Sequence, residues 1–301
     1  MTAPEQLGFE QMPRRLFRAT PTRLLGWLDC PRRYRFTYLD RPPPPKGPPW
    51  AHNSLGAAVH TALASWWRLP LEHRTVEAAG ELVERGWLED GFRDEAQSYR
   101  WRQHARRLVE TYTTGLDPAD EPKGVERTVA LTTSTLALSG RVDRIDERLI
   151  PADDPDTDGP VREVSAVELV IVDYKTGRHV LDTDDARTSL ALAVYAAAAA
   201  RTLRRRCRRV ELHHLPTGRV ASWEHSPESI TRHLLRAESI GEEAYAAEQA
   251  FRAGLDDAAK DRVFPPIVGS QCQWCDFANH CPEGRRAYTS HRPWDGLDPE
   301  V

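Results

Sequence analysis

Residues 169–177 read Leu-Val-Ile-Val-Asp-Tyr-Lys-Thr-Gly. Four consecutive apolar residues, three of them β-branched, suit a strand buried on both faces. Such a strand is expected at the centre of its sheet. The run ends in Asp173-Tyr174-Lys175, and Gly177 stops it. Side chains alternate along a strand, so Asp173 and Lys175 share a face at its mouth. A carboxylate and an ammonium so placed can hold a hard cation and a water together.

The surrounding pattern supplies the partners of that strand. Residues 125–131 and 135–143 alternate and are rich in Val, Leu and Thr, which predicts a β-hairpin turning at 132–134. Residues 145–150 begin a further strand, and 151–160 form an acidic Pro/Asp/Gly loop. An Ala-rich helix is predicted over 184–206, a second hairpin over 209–214 and 219–223, and helix over 227–259. Ahead of the hairpin the period is helical. Residues 20–39 carry a helix broken at Cys30-Pro31, followed by 54–68 with Ser54 as N-cap, 75–92 and 98–114. Six prolines within 42–49 make a stiff connector.

Asp143 closes the second hairpin strand within Gly140-Arg141-Val142-Asp143 and is the natural second carboxylate. Two carboxylates from neighbouring strands plus a lysine make a minimal site for metal-assisted phosphodiester hydrolysis. Lysine is scarce here, four residues against 37 arginines, so Lys175 carries more information than any arginine cluster. The net charge of −4 excludes a bulk polycation, and any nucleic-acid contact must be local. The longest apolar stretch, 189–200, is too short for a bilayer, and no signal segment opens the chain, so a cytoplasmic protein is expected.

Cysteine usage adds a second constellation. Cys272-x-x-Cys275 and Cys281-Pro282 lie in a segment, 263–282, with little regular pattern, while Cys30 lies far upstream. Four thiolates suit zinc or an iron–sulfur cluster. Ligation would clip the N-terminal helix to the C-terminal segment and supply its folding energy. Zinc with His280 in place of Cys30 is the alternative, and Cys207 stands apart in an arginine run over 201–209.

Gly56-x-x-x-His60, Gly140-x-x-Asp143, Asp173-Tyr174-Lys175 and Tyr195 occur in this order. This set closely resembles the PD-(D/E)XK nuclease superfamily, specifically its RecB-like exonuclease branch. The split cysteines resemble those of the AddB type and of the CRISPR adaptation nucleases. The resemblance covers about residues 20–285. It implies a restriction-endonuclease-like α/β core, a mixed sheet with flanking helices, and a tail clipped by a [4Fe–4S] cluster on Cys30, Cys272, Cys275 and Cys281. It implies His60, Asp143, Asp173 and the Tyr174 carbonyl as ligands of Mg²⁺ or Mn²⁺, with Lys175 positioning water. Glu126 stands where the family often carries a glutamate, and Tyr195 where it carries a tyrosine. Ala191 replaces the glutamine expected one turn before Tyr195. The resemblance further places Arg32, Arg33, Arg35 and Arg178 as guides for a single strand, and Trp66, Trp67 and Trp274 can stack bases.

These readings divide the chain into a tail (1–19), a helical region (20–115), the nuclease core (116–262), the cysteine segment (263–285) and a C-terminal tail (286–301). The implied activity is a metal-dependent deoxyribonuclease, an exonuclease on single strands or frayed ends, serving DNA repair or recombination. A separate helicase or a CRISPR adaptation subunit is the implied partner, because the chain has no phosphate-binding P-loop of its own. The rival is a non-catalytic DNA-binding scaffold with a decayed site, for which Ala191 is the sequence support.

Overall fold

A computed structural model describes residues 16–150 and 167–297, so the predicted loop at 151–160 and the outermost tails lie outside the described residues. The fold is α/β: a six-stranded mixed sheet with helices packed on it. Its strands are β1 (Phe17–Ala19), β2 (Gly124–Thr132), β3 (Leu136–Leu149), β4 (Val167–Lys175), β5 (Cys207–His214) and β6 (Arg219–Glu224). The central order is β3-β4-β5-β6, with β3–β4 and β5–β6 antiparallel and β4–β5 parallel.

The expectation of a buried central strand holds for β4. Leu169 and Ile171 pack on one side with α7 (Leu190–Leu203), and Val170, Val172 and Tyr174 pack on the other. That second side meets α3 (Ala51–Trp66), α4 (Val76–Arg85) and α5 (Glu95–Thr114). The four aliphatic side chains are fully buried, contributing about 1.5–3 kcal/mol each. A third cluster joins β1 and the start of β3 to α1 (Pro21–Asp29) and α8 (Pro227–Arg252). No helix among the described residues is long and apolar enough to cross a membrane.

Several boundaries differ from the sequence pattern, each for a local reason. β1 was not anticipated; it pairs with β3 through only three residues, too few for a periodic signal. The strand expected to restart at 145 is continuous with the hairpin. Arg144 and Ile145 pair with β2 on one edge and β4 on the other, so the backbone never leaves the ladder. The long Ala-rich helix is two: α6 (Thr183–Thr188) and α7 are divided at Ser189. The Ser189 side chain accepts a hydrogen bond from the Leu192 amide and starts α7 anew, the competition that makes serine a capping residue. Ser54 is not an N-cap but lies inside α3, its hydroxyl donating to the Asp90 carbonyl at 2.9 Å. Cys30 does separate α1 from α2 (Pro31–Tyr38). The last helical stretch divides into α8 and α9 (Asp257–Val263). The cysteine segment holds short 3₁₀ turns and α10 (Pro282–Ala287). Beyond α10 the chain folds back: the Ala51 amide donates to the Pro293 carbonyl, and Leu297 is buried against α3.

Candidate active site

Strand pairing creates the site. Leu138 pairs with both β1 and β2, and Arg144 with both β2 and β4, so β1 and β4 share the edge of β3 away from β2. Among the described residues no strand occupies that edge between them, over residues 139–143. Asp143 stands where the β4 ladder ends. Its Oδ2 accepts the Tyr174 backbone N–H at 2.9 Å, taking the place of the next ladder carbonyl. Arg144 faces Val172 in the register, so the next step brings Asp143 and Asp173 together.

The regular alternation breaks at the same point. Val142 and Ile145 are three residues apart yet pack into one cluster. Across the ladder Glu126 lies opposite Asp143 and takes a left-handed backbone, φ +50°. A non-glycine residue there is strained and persists only when its surroundings hold it. His60 arrives from α3, its Nδ1 3.3 Å from Asp143 Oδ2. Among the described residues, His60, Glu126 and Asp143 are the group of metal-capable side chains whose ligand atoms all lie within 4.8 Å of one another.

Charges are matched around this group. Lys175 Nζ forms an ion pair with Asp173, bearing out their shared face. The contacted Asp173 oxygen is buried and accepts no regular hydrogen bond. Burial pushes the Asp173 carboxyl above its ordinary pKa and the Asp143 charge adds to this, against the pull of Lys175. Burial alone would lower the His60 imidazole, but Asp143 and Asp173 outweigh it and the net direction is up. Tyr195, on α7, is pushed up to about 12 by burial and then by Asp173 and Asp143. It therefore keeps its proton at neutral pH and can donate.

His60, Glu126, Asp143 and Tyr195 line one open cleft of about 680 Å³. Thr20, Thr22, Arg68 and Arg141 also border it and were not singled out in the sequence. The threonines arrive through the unanticipated β1 and the start of α1. Arg141 carried one signal, its place between Gly140 and Asp143.

The two glycines of the motifs differ in what they permit. A β-carbon on Gly140 would lie 2.4 Å from Tyr195 Cε1, whereas one on Gly56 would meet Thr176 Oγ1 at 3.5 Å, an ordinary contact. Close approach therefore depends on Gly140, not on Gly56. Gly140→Ala is expected to lower stability by about 1–3 kcal/mol through overpacking and to displace the Tyr195 ring. Gly56→Ala, within α3, should be neutral or stabilising by up to about 1 kcal/mol. Thermal unfolding of the two variants checks this, and equal midpoints would contradict it.

Cys30, Cys272, Cys275 and Cys281 converge from opposite ends of the chain onto one cavity, bordered by Phe36, Ile267 and Phe277. Gly284 leaves room beside it, since a β-carbon there would sit 3.4 and 3.5 Å from the Cys272 and Cys281 sulfurs. His280 is not among the residues that border this cavity, and its Nε2 bonds the Pro45 carbonyl at 3.0 Å. Cys207 is buried in the sheet, and burial pushes its thiol up.

The arginines expected to guide a strand divide. Arg178 is exposed just beyond Lys175. Arg33, on α2, pairs with Asp29 at the end of α1. Arg32 and Arg35 are buried and correct the expectation: Arg32 binds Glu283 at 2.5 Å and Asp261 at 3.2 Å, and Arg35 lies 3.3 Å from Asp40. They tie α2 to α9 and α10, and Arg32 also borders the cysteine cavity, its Nη1 3.9 Å from Cys281 Sγ. The arginine run at 201–209 lies at the far end of the sheet, because Cys207 is level with Leu169 and not with Asp173. Arg205, Arg206 and Arg209 pair there with Glu147, Glu224 and Glu211. Trp66 and Trp67 are core residues, and Trp274 packs against Trp50, His52 and His291.

Comparison with known proteins gives the following. No curated protein matches the chain. Among solved structures, the protein SSO0001 aligns over 90% of this chain and 88% of its own, at 12% identity and a TM-score of 0.37. An Eubacterium rectale protein named "Putative exonuclease" aligns over 98% of this chain and 99% of its own, at 11% identity and a TM-score of 0.42. The family model of the PD-(D/E)XK nuclease superfamily matches residues 18–282, from β1 through the last cysteine, and the chain belongs to that superfamily.

Proposed function

We propose that this protein is a divalent-metal-dependent deoxyribonuclease of the RecB-like branch, an exonuclease on single strands or frayed ends. The observation that carries the reading is the convergence of His60, Glu126 and Asp143 within 4.8 Å, beside the Asp173–Lys175 pair. Three carboxylates and an imidazole are the donor set a hard cation takes. His60, Asp143 and Asp173, with the Tyr174 carbonyl, would hold Mg²⁺ or Mn²⁺, with Glu126 at its margin. Bound there, the ion would supply Lewis acidity at a phosphoryl oxygen and a more acidic water.

The chain's own residues do the rest. Lys175, fixed by its ion pair with Asp173, orients the attacking water at the mouth of β4. Water oxygen bonds to phosphorus as its proton passes to solvent, the opposite P–O bond opens, and solvent protonates the departing alkoxide. Tyr195 keeps its hydroxyl proton and donates it in a hydrogen bond to a non-bridging oxygen. Ala191, one turn earlier on α7, presents no polar group, so Tyr195 acts without the usual neighbour.

The four cysteines are read as ligands of a [4Fe–4S] cluster with a structural role. In support, all four cysteines border one cavity. On this reading the helical region (20–115), the core (116–262) and the cysteine segment (263–285) work as one cytoplasmic repair or recombination enzyme. A separate helicase or CRISPR adaptation subunit would supply its substrate.

The test compares linear and covalently closed single-stranded DNA, incubated anaerobically with Mn²⁺. Loss of the linear strand alone is expected. Cutting of the circle would replace the exonuclease by an endonuclease, and binding without cutting would favour a scaffold.

A further inference from the structure

Glu126 and Arg141 hold each other across the kink of the β2–β3 ladder. Arg141 Nε lies 2.8 Å from Glu126 Oε2. Glu126 belongs to the group that can close on a cation and lies opposite Asp143 in the ladder. Three carboxylates, Glu126, Asp143 and Asp173, thus face two permanent cations, Arg141 and Lys175, in the absence of metal. A divalent ion adds two positive charges to this small space, and one resident cation must give way. Arg141 is the freer of the two: its side chain is 71% exposed against 44% for Lys175. It also borders the cleft beside Tyr195, where its planar fork of donors suits a phosphate.

We propose that Arg141 exchanges partners: it neutralises Glu126 in the metal-free protein and a DNA phosphate once a cation is bound. The inference rests on the reading of this cleft as a cation-dependent nuclease site. It makes Arg141 a substrate-contacting residue whose contact is conditional on metal. Metal and DNA then bind with positive coupling, because the ion releases the guanidinium that the strand takes up.

The experiment uses the full chain, purified anaerobically, and the variant Arg141→Gln, whose exposed position leaves the fold undisturbed. Mn²⁺ binding is measured calorimetrically without DNA. Binding of a fluorescent single-stranded oligonucleotide is measured across a salt series in EDTA and in Ca²⁺. Arg141→Gln is expected to tighten Mn²⁺ binding by about threefold to tenfold, since a competing cation is gone. The gain should vanish in a Glu126→Gln background. The variant should bind the oligonucleotide like wild type in EDTA. In Ca²⁺ it should bind more weakly, with a salt slope shallower by about 0.7, the value of one phosphate contact on a single strand.

Unchanged or weaker Mn²⁺ binding would overturn the exchange. So would an equal loss of DNA affinity with and without Ca²⁺, which would make Arg141 a permanent contact. A wild type that binds no Mn²⁺ overturns the nuclease reading and this inference together. A wild type that binds it, with a variant that matches, overturns the exchange alone.

Discussion

Asp173→Asn is expected to lower DNA cleavage by about a thousandfold or more while leaving the fold intact. A bound Lewis acid contributes several kcal/mol to the barrier, and each 1.36 kcal/mol is a factor of ten. The substitution removes one carboxylate of the proposed cation site and the partner that fixes Lys175. The stability effect has the opposite sign. Burial raises the Asp173 pKa in the folded chain, so its ionised form at neutral pH opposes folding. For a carboxyl with a raised folded pKa, this penalty is relieved as pH falls through that value. Asparagine removes the penalty at every pH. The metal-free variant should therefore unfold no earlier than wild type at pH 7, and any advantage should shrink in acid. Loss of activity accompanied by an early thermal transition would mean that Asp173 is a structural residue.

Cys272→Ser has the second largest expected effect, and it falls on a different part of the molecule. Wild type prepared anaerobically should carry about four irons per chain, and the variant close to none. The segment from 264 to 297 holds few buried apolar residues, Phe264, Phe277 and Leu297 among them. Ligation would provide the folding energy these residues do not. The variant should be cleaved by protease within 265–290, while β4 and α7, which bury their own core, resist. The Arg32–Glu283 and Arg32–Asp261 pairs would slow this release without preventing it, because Glu283 and Asp261 are both partly exposed. An iron-free wild type with the same resistance to protease would contradict the structural role.

Much of this site was readable before any coordinates. Asp173 and Lys175 follow from a strand's two-residue period, and β4 from an apolar run too long for a half-exposed strand. His60 follows from its place one turn after Gly56, and the cysteines from their spacing. What the pattern missed shares a physical character. The left-handed backbone at Glu126 and the broken alternation between Val142 and Ile145 were not legible, because a period cannot announce its own interruption. β1 supplies an edge through three residues, below the length at which a period exists. Ser189 divides a helix that composition favours throughout, since one hydroxyl decides it. Arg32 was placed by resemblance among the guides of a strand, and its partners, Asp261 and Glu283, lie more than two hundred residues away. Charge in sequence says nothing of charge in contact.

The most direct measurement is single-turnover cleavage of an end-labelled single-stranded DNA over a Mn²⁺ titration, wild type beside Asp143→Asn. Asp143 accepts the Tyr174 backbone N–H, lies 3.3 Å from His60 Nδ1 and belongs with Glu126 to the group of ligand atoms within 4.8 Å. The account predicts cleavage by wild type that saturates with Mn²⁺ and stops on chelation, with the variant at background. An inert wild type at saturating Mn²⁺, or a variant that cuts as fast as wild type, would contradict it.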